Sequence, residues 1–345
     1  MGLFDIVSMQ NLIMYNIQDI VHLHLEISSK CNAECPLCPR NFYGYPYNDG
    51  YIEHNMSLSE AQHIFQPKFL KQLTEIDING NFGDSVMNPD TVEIIKYFSE
   101  YSSATIFMST NAGARDKEYW QSLAQLDVQV TFCIDGLEDT HHLYRKNTQY
   151  STVIKNAKTF IAAGGHATWK MIKFDHNQHE FESAEKLSQQ LGFQAFGIAD
   201  NGRNQAPVFD KQQKLTHVIG QPVNVNFDRL WRSRTTDEVL LEDIVQHRNP
   251  KPIQCQVKND RSLYVCSTGD VYPCCFLGFN PKSYGHGNYH AAANAQFKHM
   301  VQENNALKHS LEHCINWFDG IVQSWNQPTF EQGRLVICND NCGCD

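Results

Sequence analysis

The chain has 345 residues, an ordinary apolar fraction of 41% and a net charge of −10, from 28 basic and 38 acidic side chains. This composition excludes a disordered protein and disfavours a nucleic-acid partner, because phosphate binding needs a basic surface stripe and none is visible. No apolar run approaches the ~18 to 20 residues that cross a membrane, and no export signal is recognisable. We therefore expect a soluble cytoplasmic protein without a membrane partner.

The hydrophobic pattern alternates between strand-like and helix-like segments over the first two thirds of the chain. The predicted strands are 21–28, 75–80, 104–110, 127–135, 167–174 and 193–199, and the predicted helices are 57–73, 90–100, 116–126, 152–164 and 180–192. Six strands separated by helices predict an α/β protein of parallel β-α units, which could form an open sheet or a barrel.

The periodicity weakens after residue 200, and cysteines, glycines and turn signals return after residue 250. We therefore divide the chain into an N-terminal extension (1–17), an α/β core (18–200), a bridging segment (201–250) and a small C-terminal α+β domain (251–345). In parallel α/β folds, ligands bind beyond the carboxyl ends of the strands, and the polar motifs described below all follow predicted strands. They are expected to meet at one rim.

Twelve cysteines are the strongest compositional signal. Without an export signal the reducing cytosol disfavours disulfides, so metal ligation becomes the leading explanation for clustered thiols. Three cysteines lie close together near the N-terminus, one is isolated at Cys133, and eight follow residue 250. Those eight are Cys255, Cys266, Cys274, Cys275, Cys314, Cys338, Cys342 and Cys344.

The first cluster is Cys31-x3-Cys35-x2-Cys38, directly after the first predicted strand. Three thiolates in one short loop suit three corners of an iron–sulfur cubane and leave the fourth iron open, as a catalytic site requires. A structural zinc site would normally need a fourth ligand, usually from a second C-x2-C pair. Structural zinc and redox-regulatory thiols are the alternatives.

This motif resembles the signature of the radical S-adenosylmethionine enzymes. The resemblance implies a partial (β/α)6 TIM-like barrel and a 4Fe–4S cluster on Cys31, Cys35 and Cys38. It also implies reductive cleavage of S-adenosylmethionine to a 5′-deoxyadenosyl radical that abstracts a substrate hydrogen. The sequence departs from the family at Leu37, where an aromatic residue is frequent, although an apolar side chain there could still pack against adenine.

Two further segments match cofactor-binding motifs of that family. Gly83-Asp84, within 79–89, stands where the family carries a Gly-Gly-Glu segment, which implies that Asp84 accepts a hydrogen bond from the cofactor ammonium group. Read alone, this segment would be a turn. Ser109 and Asn111 stand where the family contacts the ribose hydroxyls, and the alternative there is a helix cap and turn.

The segment from Cys133 to Gly136, followed by Arg145, resembles a Ser-(Ile/Leu)-Asp-Gly…Arg pattern of relatives with auxiliary clusters. The resemblance implies that Arg145 pairs with the cofactor carboxylate, for which a guanidinium is well suited. Cys133 takes the serine position and is expected to be a small buried residue rather than a metal ligand.

The C-terminal pattern is Cys255-x13-Gly269-x4-Cys274, followed by Cys338-x3-Cys342, with a hairpin predicted over 263–274. It resembles the opening of the SPASM and twitch auxiliary domains but lacks the C-x2-C-x5-C-x3-C run of the SPASM form. The resemblance implies one auxiliary 4Fe–4S cluster in a smaller, twitch-like domain. The implied ligands are Cys255, Cys274, Cys338 and Cys342, with Cys275 and Cys344 as rivals, Cys266 and Cys314 left over, and structural zinc as the alternative metal.

The resemblance also bears on the reaction. A low-potential cluster implies a flavodoxin or ferredoxin electron donor. We favour a peptide or protein substrate, modified by crosslinking, oxidation or epimerisation, over a small alcohol or sugar that is dehydrogenated or epimerised. An epimerase could return the hydrogen atom from Cys266 or Cys314. The alternative of another class is a non-catalytic, zinc-stabilised binding protein.

Overall fold

In a computed structural model, the described residues are 14–46, 52–200, 206–220, 245–246, 248–279, 296–297, 299–301 and 303–344. The predicted N-terminal extension and bridging segment therefore lie largely outside the described residues. The α/β core and most of the C-terminal segment lie within them.

Twelve strands and twelve α-helices lie within these ranges. The strands are β1 (His22–Leu25), β2 (Asn41–Phe42), β3 (Tyr45–Pro46), β4 (Glu75–Ile78), β5 (Thr105–Thr110), β6 (Val128–Cys133), β7 (His166–Ile172), β8 (Ala195–Ala199), β9 (Ala206–Phe209), β10 (Leu215–Ile219), β11 (Ser262–Val265) and β12 (Val271–Tyr272). The helices are α1 (Leu58–Ile64), α2 (Pro67–Leu70), α3 (Thr91–Tyr101), α4 (Lys117–Ala124), α5 (His141–Tyr144), α6 (Tyr150–Ala162), α7 (Phe181–Leu191), α8 (Gln256–Asn259), α9 (Cys275–Gly278), α10 (Leu311–Cys314), α11 (Phe318–Ser324) and α12 (Val336–Cys342).

The six predicted core strands form one parallel sheet in the order β1-β4-β5-β6-β7-β8, which is the partial barrel. Beyond β1 the sheet continues into the C-terminal segment, because β11 pairs in parallel with β1 and β12 pairs antiparallel with β11. The predicted C-terminal hairpin is thus present, and it shares the sheet of the barrel. Two small antiparallel pairs, β2-β3 and β9-β10, lie outside this sheet.

The structure corrects one predicted helix. The sequence predicts a single helix over 57–73, whereas α1 ends at Ile64 and α2 begins at Pro67. Proline lacks an amide hydrogen and disfavours the helical conformation of the residue before it, so it interrupts a helix but is accepted at the first helical position. The start of α1 is as predicted, since Ser57 and Glu60 form a reciprocal capping box.

Alternation along the strands decides which face carries the site. In β7, Ala167, Trp169 and Met171 are buried, whereas Lys170 between them is exposed to solvent. The buried face packs beneath the helices, where Trp120 of α4 and Phe160 of α6 contribute to the main core. Because successive strand residues point to opposite faces, the other face lines the inside of the barrel. Polar residues on that inner face can therefore surround a ligand.

Candidate functional site

A cavity of about 420 Å³ opens at the carboxyl ends of the barrel strands. Its walls come from the loop after β1, the loop after β4, the ends of β5, β6 and β7, and the C-terminal segment. The lining residues include Cys31, Cys35, Cys38, Gly83, Asp84, Ser109, Asn111, Cys133, Arg145, Lys170, Cys275, Phe276 and Phe279. Eight of the nine residues predicted to serve the first cluster and the cofactor thus lie around one cavity, and Leu37 is the exception.

The three N-terminal thiols sit in the tight loop that follows β1. The amide of Cys38 donates to the carbonyl of Cys35 (3.1 Å), which folds the loop back on itself. Burial raises the pKa of the Cys35 thiol to about 12, opposed by the nearby Arg145 guanidinium, whose Nη1 lies 4.0 Å from Cys35 Sγ. Burial also raises the pKa of Cys31. These thiols are therefore protonated by themselves, and a bound cation would be needed to hold them as thiolates.

The spacing of the thiols bears on which metal group fits. Among the twelve cysteines, all of which the structure describes, no three sulfur atoms lie within 4.8 Å of one another. A tetrahedral zinc site with Zn–S bonds of about 2.3 Å would require sulfurs about 3.8 Å apart. The thiols as they stand do not form such a tetrahedral group, and thiolates are also the ligands that hold iron–sulfur clusters.

Asp84 anchors the loop after β4 to the end of β5. Its buried carboxylate accepts hydrogen bonds from the Thr110 hydroxyl (2.8 Å), the Asn111 amide (2.7 Å) and the Val86 amide (3.1 Å). Its own amide donates to the carbonyl of Lys30 (2.8 Å), which ties the loop to the thiol segment. Burial raises the pKa of Asp84 against these hydrogen bonds. Asp84 thus lies at the cavity wall, and its hydrogen bonds within the protein fix its position.

Arg145 lies on the cavity wall beside Cys35. Its Nε donates to Oδ2 of the fully buried Asp135 (2.6 Å). Asp135 in turn accepts from the amide of Ile172 (2.5 Å), so the ion pair ties the segment after β6 to the end of β7. Arg145 keeps part of its guanidinium toward Cys35 and the cavity. This geometry leaves it able to meet an anionic ligand group.

The remaining predicted cofactor residues differ in placement. Ser109 lines the cavity at the end of β5. The side-chain Nδ2 of Asn111 lies 3.5 Å from Cys31 Sγ and donates to Oδ1 of Asn32 (3.1 Å), so Asn111 supports the thiol loop. Leu37 does not itself line the cavity but is buried in an apolar cluster with Cys35 and Tyr144, which do.

A buried glutamate that the sequence analysis did not single out holds the same wall. Glu26 directly follows β1 and is 1% exposed. Its Oε1 accepts from the amides of Phe82 (2.7 Å) and Gly83 (2.9 Å), and its Oε2 accepts from the Tyr264 hydroxyl (3.2 Å). One carboxylate therefore joins the loop after β4, the end of β1 and the C-terminal hairpin. Its only sequence signal is a charged residue within the apolar stretch of 21–28.

Burial raises the pKa of Glu26 to about 7, against the three hydrogen bonds and the positive charge of Arg40. The folded protein thus holds this proton more tightly than the unfolded chain, whose glutamates have a pKa near 4.5. The contribution of Glu26 to the stability of the fold therefore falls as pH rises from about 4.5 to 7.

Glu26→Gln should flatten this part of the melting-temperature profile and raise the melting temperature at pH 8. Thermal unfolding from pH 5 to 8 tests it, with the exposed Glu182→Gln as control, and an unchanged profile in Glu26→Gln contradicts the assignment.

The C-terminal segment brings the four predicted auxiliary ligands together. A hydrogen bond joins the thiols of Cys255 and Cys342, which lowers the pKa of Cys342 to about 6 and raises that of Cys255. Cys274 is half-buried near Cys338 and Cys342, and desolvation together with the neighbouring Cys275, and more weakly Cys338 and Cys342, raises its pKa. Cys255 directly precedes α8, Cys274 lies between β12 and α9, and Cys338 and Cys342 both lie in α12.

Of the remaining cysteines, Cys344 lies beside Cys342, with its Sγ 4.0 Å from the Cys342 carbonyl oxygen. The two that were left over have other neighbours. Cys266 Sγ lies 3.1 Å from the hydroxyl of Thr268 in the hairpin turn, and Cys314 Sγ points to the carbonyl of Glu303 (3.6 Å). Neither lines the cavity, so neither is placed to return a hydrogen atom to a substrate there. Cys133 and Cys275 are the thiols outside the N-terminal trio that do line it.

The C-terminal segment also closes one side of the cavity, which the sequence did not predict. The Asn81 side chain donates to the carbonyl of Cys275 (2.8 Å), and Phe279 packs edge to face on Phe82 with ring centroids 5.8 Å apart. Phe276 between them is 44% exposed, an unusual state for a large apolar side chain lining a cavity. The C-terminal segment and the thiol loop therefore line the same cavity.

Comparison with known proteins supports the architecture. No protein-family model matches the chain. It is 23% identical over 262 residues to the uncharacterised protein MJ0907 of Methanocaldococcus jannaschii, covering 73% of this chain and 84% of that protein. No helix in the described part of the chain is long and apolar enough to cross a bilayer.

Two solved structures share the fold. Streptococcus suis SuiB superimposes with a TM-score of 0.56 at 14% identity, covering 94% of this chain and 73% of SuiB. The protein anSMEcpe with bound AdoMet gives a TM-score of 0.54 at 15% identity, covering 89% of this chain and 81% of anSMEcpe. At such identities the similarity establishes the fold. The chain therefore shares the fold of SuiB and anSMEcpe, in agreement with the partial barrel that the sequence predicts.

Proposed function

We propose that this protein is a radical S-adenosylmethionine enzyme. The observation that carries the proposal is the convergence of Cys31, Cys35 and Cys38 on the same cavity as Asp84 and Arg145. Structures of SuiB and anSMEcpe, which share the fold, hold S-adenosylmethionine. The presence of S-adenosylmethionine in two proteins with the same fold supports the same cofactor for this protein.

The roles of the residues follow from their chemistry. Cys31, Cys35 and Cys38 would hold a 4Fe–4S cluster, and the reduced cluster, when bound, supplies the electron that cleaves S-adenosylmethionine to a 5′-deoxyadenosyl radical and methionine. The Asp84 carboxylate suits the methionine ammonium group, and the Arg145 guanidinium suits its carboxylate. The ribose contacts are assigned to Ser109 and Asn111, and the adenine contact to Leu37, although its burial outside the cavity wall would require the loop to move.

The C-terminal segment would carry one auxiliary 4Fe–4S cluster. This ligand set is supported by the contact between Cys255 and Cys342 and by the closeness of Cys274 to Cys338 and Cys342, the last two of which lie in one helix, α12. With the boundaries proposed above, residues 18–200 form the radical core and 251–345 the auxiliary domain. A flavodoxin or ferredoxin would supply the electrons.

The substrate we propose is a peptide or protein residue. SuiB has been crystallised with its precursor peptide SuiA, and anSMEcpe with the Cp18Cys peptide. Both have the fold of this chain, which favours a peptide over a small alcohol or sugar. Crosslinking, oxidation and epimerisation are the candidate reactions.

Anaerobic reconstitution followed by reduction with dithionite in the presence of S-adenosylmethionine tests the proposal. We expect about eight irons per chain and formation of 5′-deoxyadenosine. The Cys255→Ala/Cys342→Ala double variant should lose about four irons and still cleave the cofactor, because its changes lie outside the N-terminal thiol loop. Zinc without iron and no cleavage would refute the enzyme and indicate a zinc-stabilised protein.

A further inference from the structure

Most charged groups that line the cavity have partners within the chain. Arg145 is paired with Asp135, and the Asp84 carboxylate accepts three hydrogen bonds. His24 bonds through Nε2 to the carbonyl of Asn79 (2.7 Å). Lys170 differs, because its ammonium group has no ion pair among the described residues although it lines the same cavity.

Lys170 stands on the inner face of the barrel, in β7. It is in register with Cys133 of β6 on one side and with Gly197 of β8 on the other. Residues in register on neighbouring parallel strands point to the same face, so these three positions form one row near the carboxyl ends of the strands. A long cationic side chain therefore projects into the chamber rather than onto the outer surface.

Gly197, the neighbour of Lys170 on β8, adds no side chain to this row. A Cβ built on Gly197 would meet no atom within 4 Å, and Gly197 has no positive φ that would require glycine. Glycine weakens a strand interior, where a β-branched residue would be favoured. Because Gly197 has no side chain, the space next to Lys170 in this row stays open. Lys170 is also the cation of the cavity that lacks an ion-pair partner within the described part of the chain.

We propose that Lys170 and the space at Gly197 form a subsite for an anionic group of the substrate, a carboxylate or a phosphate. The inference rests on the proposed function and narrows its substrate class. For a peptide, the matching group is an Asp or Glu side chain or a C-terminal carboxylate. The exposed ring of Phe276 on the same cavity suits an apolar part of the same molecule.

The test uses the full chain with reconstituted clusters, kept oxidised and saturated with S-adenosylmethionine, and three probes. The probes are 3-phenylpropionate, its neutral amide 3-phenylpropionamide, and phenyl phosphate, and their affinities are measured by ligand-observed NMR. We expect the carboxylate to bind about tenfold more tightly than the amide, because a charge-assisted bond to the ammonium group is lost in the amide. Tighter binding of phenyl phosphate than of the carboxylate would assign a phosphate instead.

Variants locate the effect. Lys170→Met should abolish the preference for the anion and Lys170→Arg should keep it, while Gly197→Val should weaken the carboxylate about tenfold by filling the space. Lys173→Met, at an exposed lysine outside the cavity wall, is the matched control and should behave as wild type.

The inference is overturned if the wild type binds neither probe, or binds acid and amide equally. It is also overturned if Lys170→Met weakens S-adenosylmethionine instead of the probes, since that result places Lys170 at the cofactor. Failure of the wild type to bind S-adenosylmethionine at all refutes the proposed function and is thus distinguishable from these outcomes.

Discussion

Replacing Cys31, Cys35 and Cys38 together with alanine should abolish the formation of 5′-deoxyadenosine. The triple variant should also lose about four irons per chain after reconstitution, with the remaining irons on the C-terminal thiols. The first reason is that the variant has lost the three thiols that would hold the cluster. The trio lies in a buried loop where burial raises the pKa values of Cys31 and Cys35, so only a bound cationic cluster makes these thiols favourable as thiolates.

The control for this variant is Cys314→Ala. Cys314 is fully buried, but its sulfur faces the carbonyl of Glu303 and lies outside the cavity. Its removal leaves a small cavity in the core and should reduce stability without affecting iron content or cleavage. Iron is counted by colorimetric assay, 5′-deoxyadenosine by chromatography, and folding by thermal unfolding of both variants. A triple variant that folds, keeps all its iron and still cleaves the cofactor would refute the assignment of the first cluster.

Much of the barrel was predictable from the sequence because its signals are local. Each core strand has a short apolar run, and each core helix has an amphipathic period, so the elements from β4 to β8 appear within a few residues of their predicted bounds. The thiol loop was predictable for the same reason, since Cys31, Cys35 and Cys38 all lie within eight residues. Their meeting with Asp84 follows from a general rule, that parallel strands end at one rim.

Features that depend on contacts between distant parts of the chain could not be predicted. Glu26 meets Tyr264 only because β11 pairs with β1, and no local pattern specifies that pairing. His141 is fully buried in α5, where burial lowers its pKa to about 3, although no pattern in the sequence marks it as a core residue. The contact of Leu37 with adenine stays a prediction from motif position, and tertiary packing places Leu37 in an apolar cluster with Cys35 and Tyr144.

Gly83→Ala should reduce cofactor cleavage about 100-fold and lower the melting temperature by about 5 °C. A Cβ on Gly83 would lie 1.7 Å from the carbonyl oxygen of Ser28 and 2.7 Å from the Cα of Ser29. Both neighbours are backbone atoms of the segment that leads into the thiol loop, so no side-chain rotation can relieve the overlap. The Gly83 amide is also held by Glu26, which prevents the loop after β4 from simply moving away.

The displaced loop would carry Asp84 with it, and Asp84 is bonded at once to the end of β5 and to the carbonyl of Lys30. A shift of about 1 Å there is enough to misalign a bound cofactor. Gly320→Ala is the matched control, because a Cβ at Gly320 in α11 meets nothing within 4 Å and alanine favours helix. The control should keep wild-type cleavage and melt at the same or a higher temperature. If Gly83→Ala binds and cleaves S-adenosylmethionine like the wild type, the loop after β4 does not form the cofactor wall, and the roles proposed for Gly83 and Asp84 are wrong.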